Sequence, residues 1–145
     1  SKDYRLEGQL SRYIYDDRIF GKGADYYELY LFAHFRDVLS AEFAYAPDAY
    51  DFGIGSYNYQ LTGRYPIFAS TEFSGGGGFY QAAGLFEYDY WYWNAGLTVR
   101  LARLAIDLRY IGSREVNETR RTLNFWTTEL PYETSKLVLT ISVGF

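Results

Sequence analysis

The chain ends in KLVLTISVGF, Lys136 to Phe145, with Leu137, Leu139, Ile141, Val143 and Phe145 on every second position. Lys136, Thr140, Ser142 and Gly144 fill most of the gaps. A period of two is that of a β-strand whose faces meet unlike surroundings. Here it runs to the final residue, where a soluble chain commonly ends in a frayed polar tail. The same alternation recurs along the whole sequence and predicts eight strands. They lie at about Tyr4–Tyr15, Asp25–Phe35, Leu39–Ala46, Ser56–Tyr65, Phe68–Gly75, Phe86–Arg100, Leu104–Ile111 and Thr134–Phe145. The fifth has the weakest pattern and stops where Gly75–Gly78 reads as the start of a flexible loop.

The connections alternate in length. Arg36–Val38, Pro66–Ile67 and Leu101–Arg103 are tight, whereas Asp16–Ala24, Pro47–Gly55, Gly76–Leu85 and Gly112–Glu133 are long. Short periplasmic turns alternating with long extracellular loops are the outer-membrane pattern. Composition agrees: 17 Tyr, 11 Phe and 3 Trp make the chain 21% aromatic, yet 22% of residues are charged and no apolar run could make a spanning helix. The expected fold is all-β, a single domain over 1–145: an eight-stranded antiparallel up-and-down transmembrane β-barrel in the bacterial outer membrane. An even strand count puts both termini in the periplasm. In a closed barrel the last strand pairs with the first, which explains a chain that stops in mid-strand. The terminal aromatic also resembles the C-terminal signal read by the barrel-assembly machinery, an expected partner during insertion. The first residue is Ser1, not Met, which suggests removal of a signal peptide or tag.

Strand parity assigns an interior. Arg5, Arg64, Arg100, Arg109 and Lys136 fall opposite the apolar face, with Glu7, Glu28, Glu42, Glu72 and Asp107. Five cations meet five anions, and charges away from bulk water must be paired. An eight-stranded barrel is just wide enough for side chains to fill it, so these groups, with Tyr26, Tyr30, Tyr90 and Tyr92, are expected to plug the lumen. On the outer face, Tyr27, Tyr45, Tyr57, Tyr59, Trp91, Trp93 and Tyr110 would form the girdle at the loop end. Tyr4, Phe35, Tyr65 and Phe145 would form the inner one. Arg12 breaks the outer pattern near the loop end, where it can snorkel. Glu87 and Asp89 are placed above the interface.

Other functional classes find little support. Net charge is −4, which disfavours nucleic acid, and there is no cysteine for a disulfide or thiolate metal site. His34 is the only histidine, predicted to point inward as a hydrogen-bonded structural residue. Ser40, across the first tight turn, is the one serine that could share its face. No nucleophile-elbow or zinc-protease motif occurs, so an enzyme is not expected. Asp16, Asp17, Asp48 and Asp51 lack calcium-loop spacing. No metal or other cofactor is predicted. The loop Gly112–Glu133 mixes Arg114, Arg120 and Arg121 with Phe125 and Trp126. Such residues anchor interfaces, so this loop is a candidate contact for a protein partner or lipopolysaccharide, or a cap on the barrel mouth.

The stretches FGKGADYYELYLFAHF, YDYWYWNAGLTVRLARLAIDLRYIGS and KLVLTISVGF resemble the TorF-like porin family of proteobacterial outer-membrane β-barrels. The likeness covers most of the chain from about Phe20. Members tend to be longer, with more strands, so the resemblance implies a shortened member and brings no catalytic motif. Two functions are therefore expected: a structural or interaction component acting through its loops or outer wall, surrounded by outer-membrane lipid, or a narrow channel for ions or small solutes.

Overall fold

The computed structural model describes residues 3–16, 23–86, 88–116 and 133–144. Their strands are β1 (Tyr4–Tyr13), β2 (Tyr26–Phe35), β3 (Leu39–Ala46), β4 (Ser56–Phe68), β5 (Thr71–Gln81), β6 (Asp89–Leu101), β7 (Leu104–Val116) and β8 (Glu133–Val143). All eight form one antiparallel sheet in chain order, a meander. A 3₁₀ turn (Ala49–Asp51) and a one-turn helix α1 (Ala83–Phe86) lie in two of the loops.

The sheet is open. Among the described residues β1 pairs only with β2, and β8 only with β7. The predicted contact of last strand with first is therefore not formed here. Alternation decides which face a side chain takes, but closure depends on strand number, tilt and stagger, which a period of two does not encode.

Three strands depart most from their predicted bounds, and smaller shifts end β1 at Tyr13 and start β6 at Asp89, with Phe86 in α1. β4 runs on through Pro66 to Phe68, past the predicted Pro66–Ile67 turn, with a register shift between Pro66 and Phe68. Pro66 still faces Glu72, beside the shift at Ile67 and beyond Gly63, the last β4 residue paired with β3, a position next to a bulge where proline is tolerated. β5 contains the whole run Gly75–Gly78, which is strand and not loop. β7 continues through Gly112 to Val116, so Arg114 belongs to a strand, paired with Trp91 and Glu133, and not to a partner-binding loop. The first tight turn is as predicted: Val38 N–H donates to the Phe35 carbonyl, with Arg36 and Asp37 both at positive φ. That is the turn geometry matching the twist of a hairpin.

Across the middle of the sheet burial runs opposite to that of a water-soluble sheet, whereas most of β1 and the described side chains of β8 are exposed on both faces. Along β2 the residues alternate between sheltered Tyr26, Glu28, Tyr30 and Phe32 and exposed Tyr27, Leu29, Leu31 and Ala33. On β7, Leu108 is 46% exposed between Asp107 and Arg109, whose side chains are 22% and 24% exposed. The buried apolar residues among those described are alanines: Ala24, Ala44, Ala46, Ala49 and Ala82. Leaving a leucine in water forgoes about 1.5–3 kcal/mol of burial, and Leu6, Leu10, Leu61, Leu137 and Leu139 are all exposed. The apolar face lacks an apolar surrounding among the described residues.

Candidate functional site

The sheltered polar face is organised around the glycines of β5. Gly76 and Gly78 fall on this face, and a Cβ at Gly78 would run into the ring end of Tyr92. Without one, the Tyr92 side chain lies across β5 from β6 and reaches β4. Its hydroxyl donates to Asn58 Oδ1 at 2.8 Å, with Gln60 Oε1 at 3.2 Å. Gly96 plays the same part for Arg109, whose Cβ would lie 3.1 Å from an added one. Arg109 reaches Asn94 Oδ1 at 2.5 Å and Ser74 Oγ at 2.7 Å, and holds Asp107 through two bonds of 3.1 Å. Thr98 Oγ1 donates to the same carboxylate at 2.7 Å. One guanidinium thus ties β5, β6 and β7 together.

Of the ten charges placed on this face, the structure joins six into ion pairs. They are Arg5–Glu7 at 2.5 Å, Arg100–Glu72 at 3.5 Å and Arg109–Asp107 at 3.1 Å. Glu28 accepts instead from the Tyr30 hydroxyl at 2.7 Å, which also meets the Tyr13 hydroxyl at 2.6 Å. Arg64 Nε donates to the backbone carbonyl of Asp37. Glu42 sits beside Gln60 and Phe32 in the register, and Lys136 beside Ile111 on β7. The predicted plug needs closure to bring β1 and β8 together. In the open sheet a cavity of about 450 Å³ remains at the tight-turn end, among Arg5, His34, Ser40, Thr62, Arg64 and Arg109.

His34 Nδ1 and Ser40 Oγ lie 2.8 Å apart, as partners in the β2–β3 register. A serine hydrolase would also need a group orienting the imidazole. Among the described residues His34 has no hydrogen-bonded carboxylate.

The exposed apolar face carries paired rings. At the loop end Tyr45 stacks on Tyr57 (4.7 Å), Phe43 meets Tyr59 (5.2 Å) and Phe79 meets Trp91 (4.7 Å). Trp93 lies over Gly112, where a Cβ would come within 2.7 Å of the indole. Tyr110 is exposed beside them, and Tyr27 carries the guanidinium of Arg12 at 5.6 Å from its ring centre. Arg12 also bridges Asp25 at 3.2 Å. At the turn end Tyr4 packs on Phe35 (5.0 Å), and Tyr65 is the register partner of Phe73. Phe43, Phe73 and Phe79 were not foreseen in either girdle. Strand alternation already sets Phe43 and Phe73 on this face, and extending it across the glycines puts Phe79 there too.

Hydrogen bonds and ring contacts hold the described loop residues. Asp89 Oδ1 accepts from the N–H groups of Ala82 and Ala83 at 2.8 Å each, holding the start of α1. Tyr50, at φ +58°, is kept in that rare conformation among Tyr15, Tyr26 and Phe52. Burial there, with Tyr15 beside it, raises the Tyr50 hydroxyl above its ordinary pKa. Asp48 binds the Gly53 N–H at 2.7 Å. Asp17, Glu87, Arg120, Arg121, Phe125, Trp126 and Phe145 lie outside the described residues. No protein-family model, curated protein or solved structure matches this chain.

Proposed function

We propose that this chain is an outer-membrane β-barrel protein of porin-like type, whose polar face lines a path for ions or small solutes. The inverted burial supports this reading most strongly: leucines and Trp91 face outward while Asp107, Arg109, Asn58 and Gln60 are sheltered and hydrogen-bonded. A bilayer supplies the apolar surrounding the outer face lacks, and the ring pairs at its two ends fit the two interfaces. Backbone groups left open along β1 and β8 cannot remain so in hydrocarbon, so the edges close into a barrel, eight-stranded if they meet each other. In the open sheet the polar cavity of about 450 Å³ gives such a path room. The resemblance to TorF-like porins points the same way. The role is one of passage, not catalysis.

A second reading, a structural or interaction component exposing its loops to a partner or to lipopolysaccharide, draws on the ring cluster of Tyr15, Tyr26, Tyr50 and Phe52 at the loop end. Single-channel recording of the refolded protein in a planar bilayer separates the two. Discrete steady openings are expected. A silent membrane, with folding confirmed by a heat-dependent gel shift, would leave the interaction reading in its place.

A further inference from the structure

We propose that the cavity at the tight-turn end of the polar face is a binding site for a small oxyanion, with Arg64 as its main cation. The proposal rests on reading this face as a lumen, and it names the solute class that the lumen would hold.

Two consecutive register rows build the site. Ser40, Thr62, Gly76 and Asn94 are successive partners across β3 to β6, and Arg64, Ser74, Gly96 and Arg109 across β4 to β7. Each row contains a glycine, which adds no side chain to this face. Three guanidinium groups line it, those of Arg5, Arg64 and Arg109, against the single carboxylate of Asp37. Two of the three already hold a carboxylate: Glu7 binds Arg5 and Asp107 binds Arg109. Among the described residues Arg64 forms no ion pair. Its Nε is taken by the Asp37 carbonyl, which leaves its terminal nitrogens to bind a ligand.

The neutral groups are sorted in the same sense. Arg109 donates to Asn94 Oδ1 and to Ser74 Oγ. Each of those oxygens accepts from Arg109, and the Asn94 NH₂ and the Ser74 O–H remain available to donate to a ligand. A ligand between Arg64 and these groups meets hydrogens from several directions, which suits an oxyanion with several lone pairs. The planar fork of a guanidinium matches two oxygens of one such anion, a geometry that a halide cannot use.

The test is equilibrium dialysis of the refolded full chain, in nanodiscs at fixed ionic strength, against radiolabelled inorganic phosphate. Folding of each variant is checked by the heat-dependent gel shift, and conductance is recorded in parallel. One saturable site per chain is expected. Arg64→Gln should weaken it by about tenfold or more, the value of a charge-assisted hydrogen bond, and Ser74→Ala by about threefold. Arg64→Lys should fall between wild type and Arg64→Gln. Absence of saturable phosphate binding by the folded wild type, or equal binding by Arg64→Gln, would overturn the proposal. If Arg64→Gln does not fold, unchanged affinity in both Ser74→Ala and Thr62→Ala would overturn it. Conductance without phosphate binding would sink the site and leave the channel. Phosphate binding in a silent membrane would uphold the site and sink the channel.

Discussion

β5 and β8 are strands of equal length built on opposite plans. β8 (Glu133–Val143) dresses every second position with a large apolar side chain, and Leu137, Leu139 and Ile141 are all more than 60% exposed. β5 (Thr71–Gln81) has four glycines at its centre, flanked by Phe73 and Phe79. β8 belongs in its place because of its own side chains. β5 belongs in its place because of its neighbours': Tyr92 lies over it from β6, and Arg109 reaches it from β7. A strand can therefore be specified by the absence of side chains, when adjacent strands need the room.

This contrast can be broken from either side. The largest effect is expected on β8. Leu139→Arg puts a charge on the outer face in mid-strand and should cost about 2–4 kcal/mol of folding stability in a bilayer, the usual lipid-face penalty. Urea titration in vesicles, read by the fluorescence of Trp91 and Trp93, measures it. Next is Gly78→Ala on β5, whose added methyl would sit 2.5 Å from the Tyr59 carbonyl oxygen and against the Tyr92 ring. Overpacking of this kind costs about 1–3 kcal/mol, and the same titration should show it.

Two smaller changes sharpen the comparison. Tyr92→Phe keeps the ring over Gly78 and removes only the bonds to Asn58 and Gln60. It should cost about 1 kcal/mol, the net value of a hydrogen bond. Gly77→Ala adds a methyl on the other face, 3.3 Å from the Tyr92 carbonyl and 3.9 Å from Trp93 Cβ. There a neighbour need shift by only a few tenths of an ångström, so a loss within about 0.5 kcal/mol, the usual range for surface substitutions, is expected. If Gly77→Ala and Gly78→Ala proved equally costly, β5 would be glycine-rich for backbone reasons, and its role as a floor for Tyr92 would fall.

The same contrast explains what could be read from the sequence. β3 (Leu39–Ala46) and most of β1, β2 and β8 were legible because their side chains alternate without a gap. The second half of β5 was not, because glycine carries no mark of which face it takes. The end of β7 was missed for a related reason: the outer position of Gly112 is covered by the Trp93 indole from the adjacent strand. Parity placed Arg109 and Asp107 on one face and His34 beside Ser40. It could not show that Arg109 would gather Ser74 and Asn94, since that depends on the gap at Gly96. Nor could it show whether β1 and β8 meet, because closure is a property of the whole sheet.

The central claim is that the leucine face meets lipid and the arginine face meets water. The chain has no cysteine, so single cysteines carrying a spin label can be placed one at a time from Leu137 to Ser142 in the protein refolded into vesicles. Collision with oxygen, which partitions into lipid, and with a water-soluble nickel chelate reads the surroundings of each label. The account predicts a period of two: labels at 137, 139 and 141 relaxed by oxygen, and labels at 138, 140 and 142 relaxed by the chelate. A profile in which all six positions favour the chelate, or in which the two sets exchange places, would contradict it.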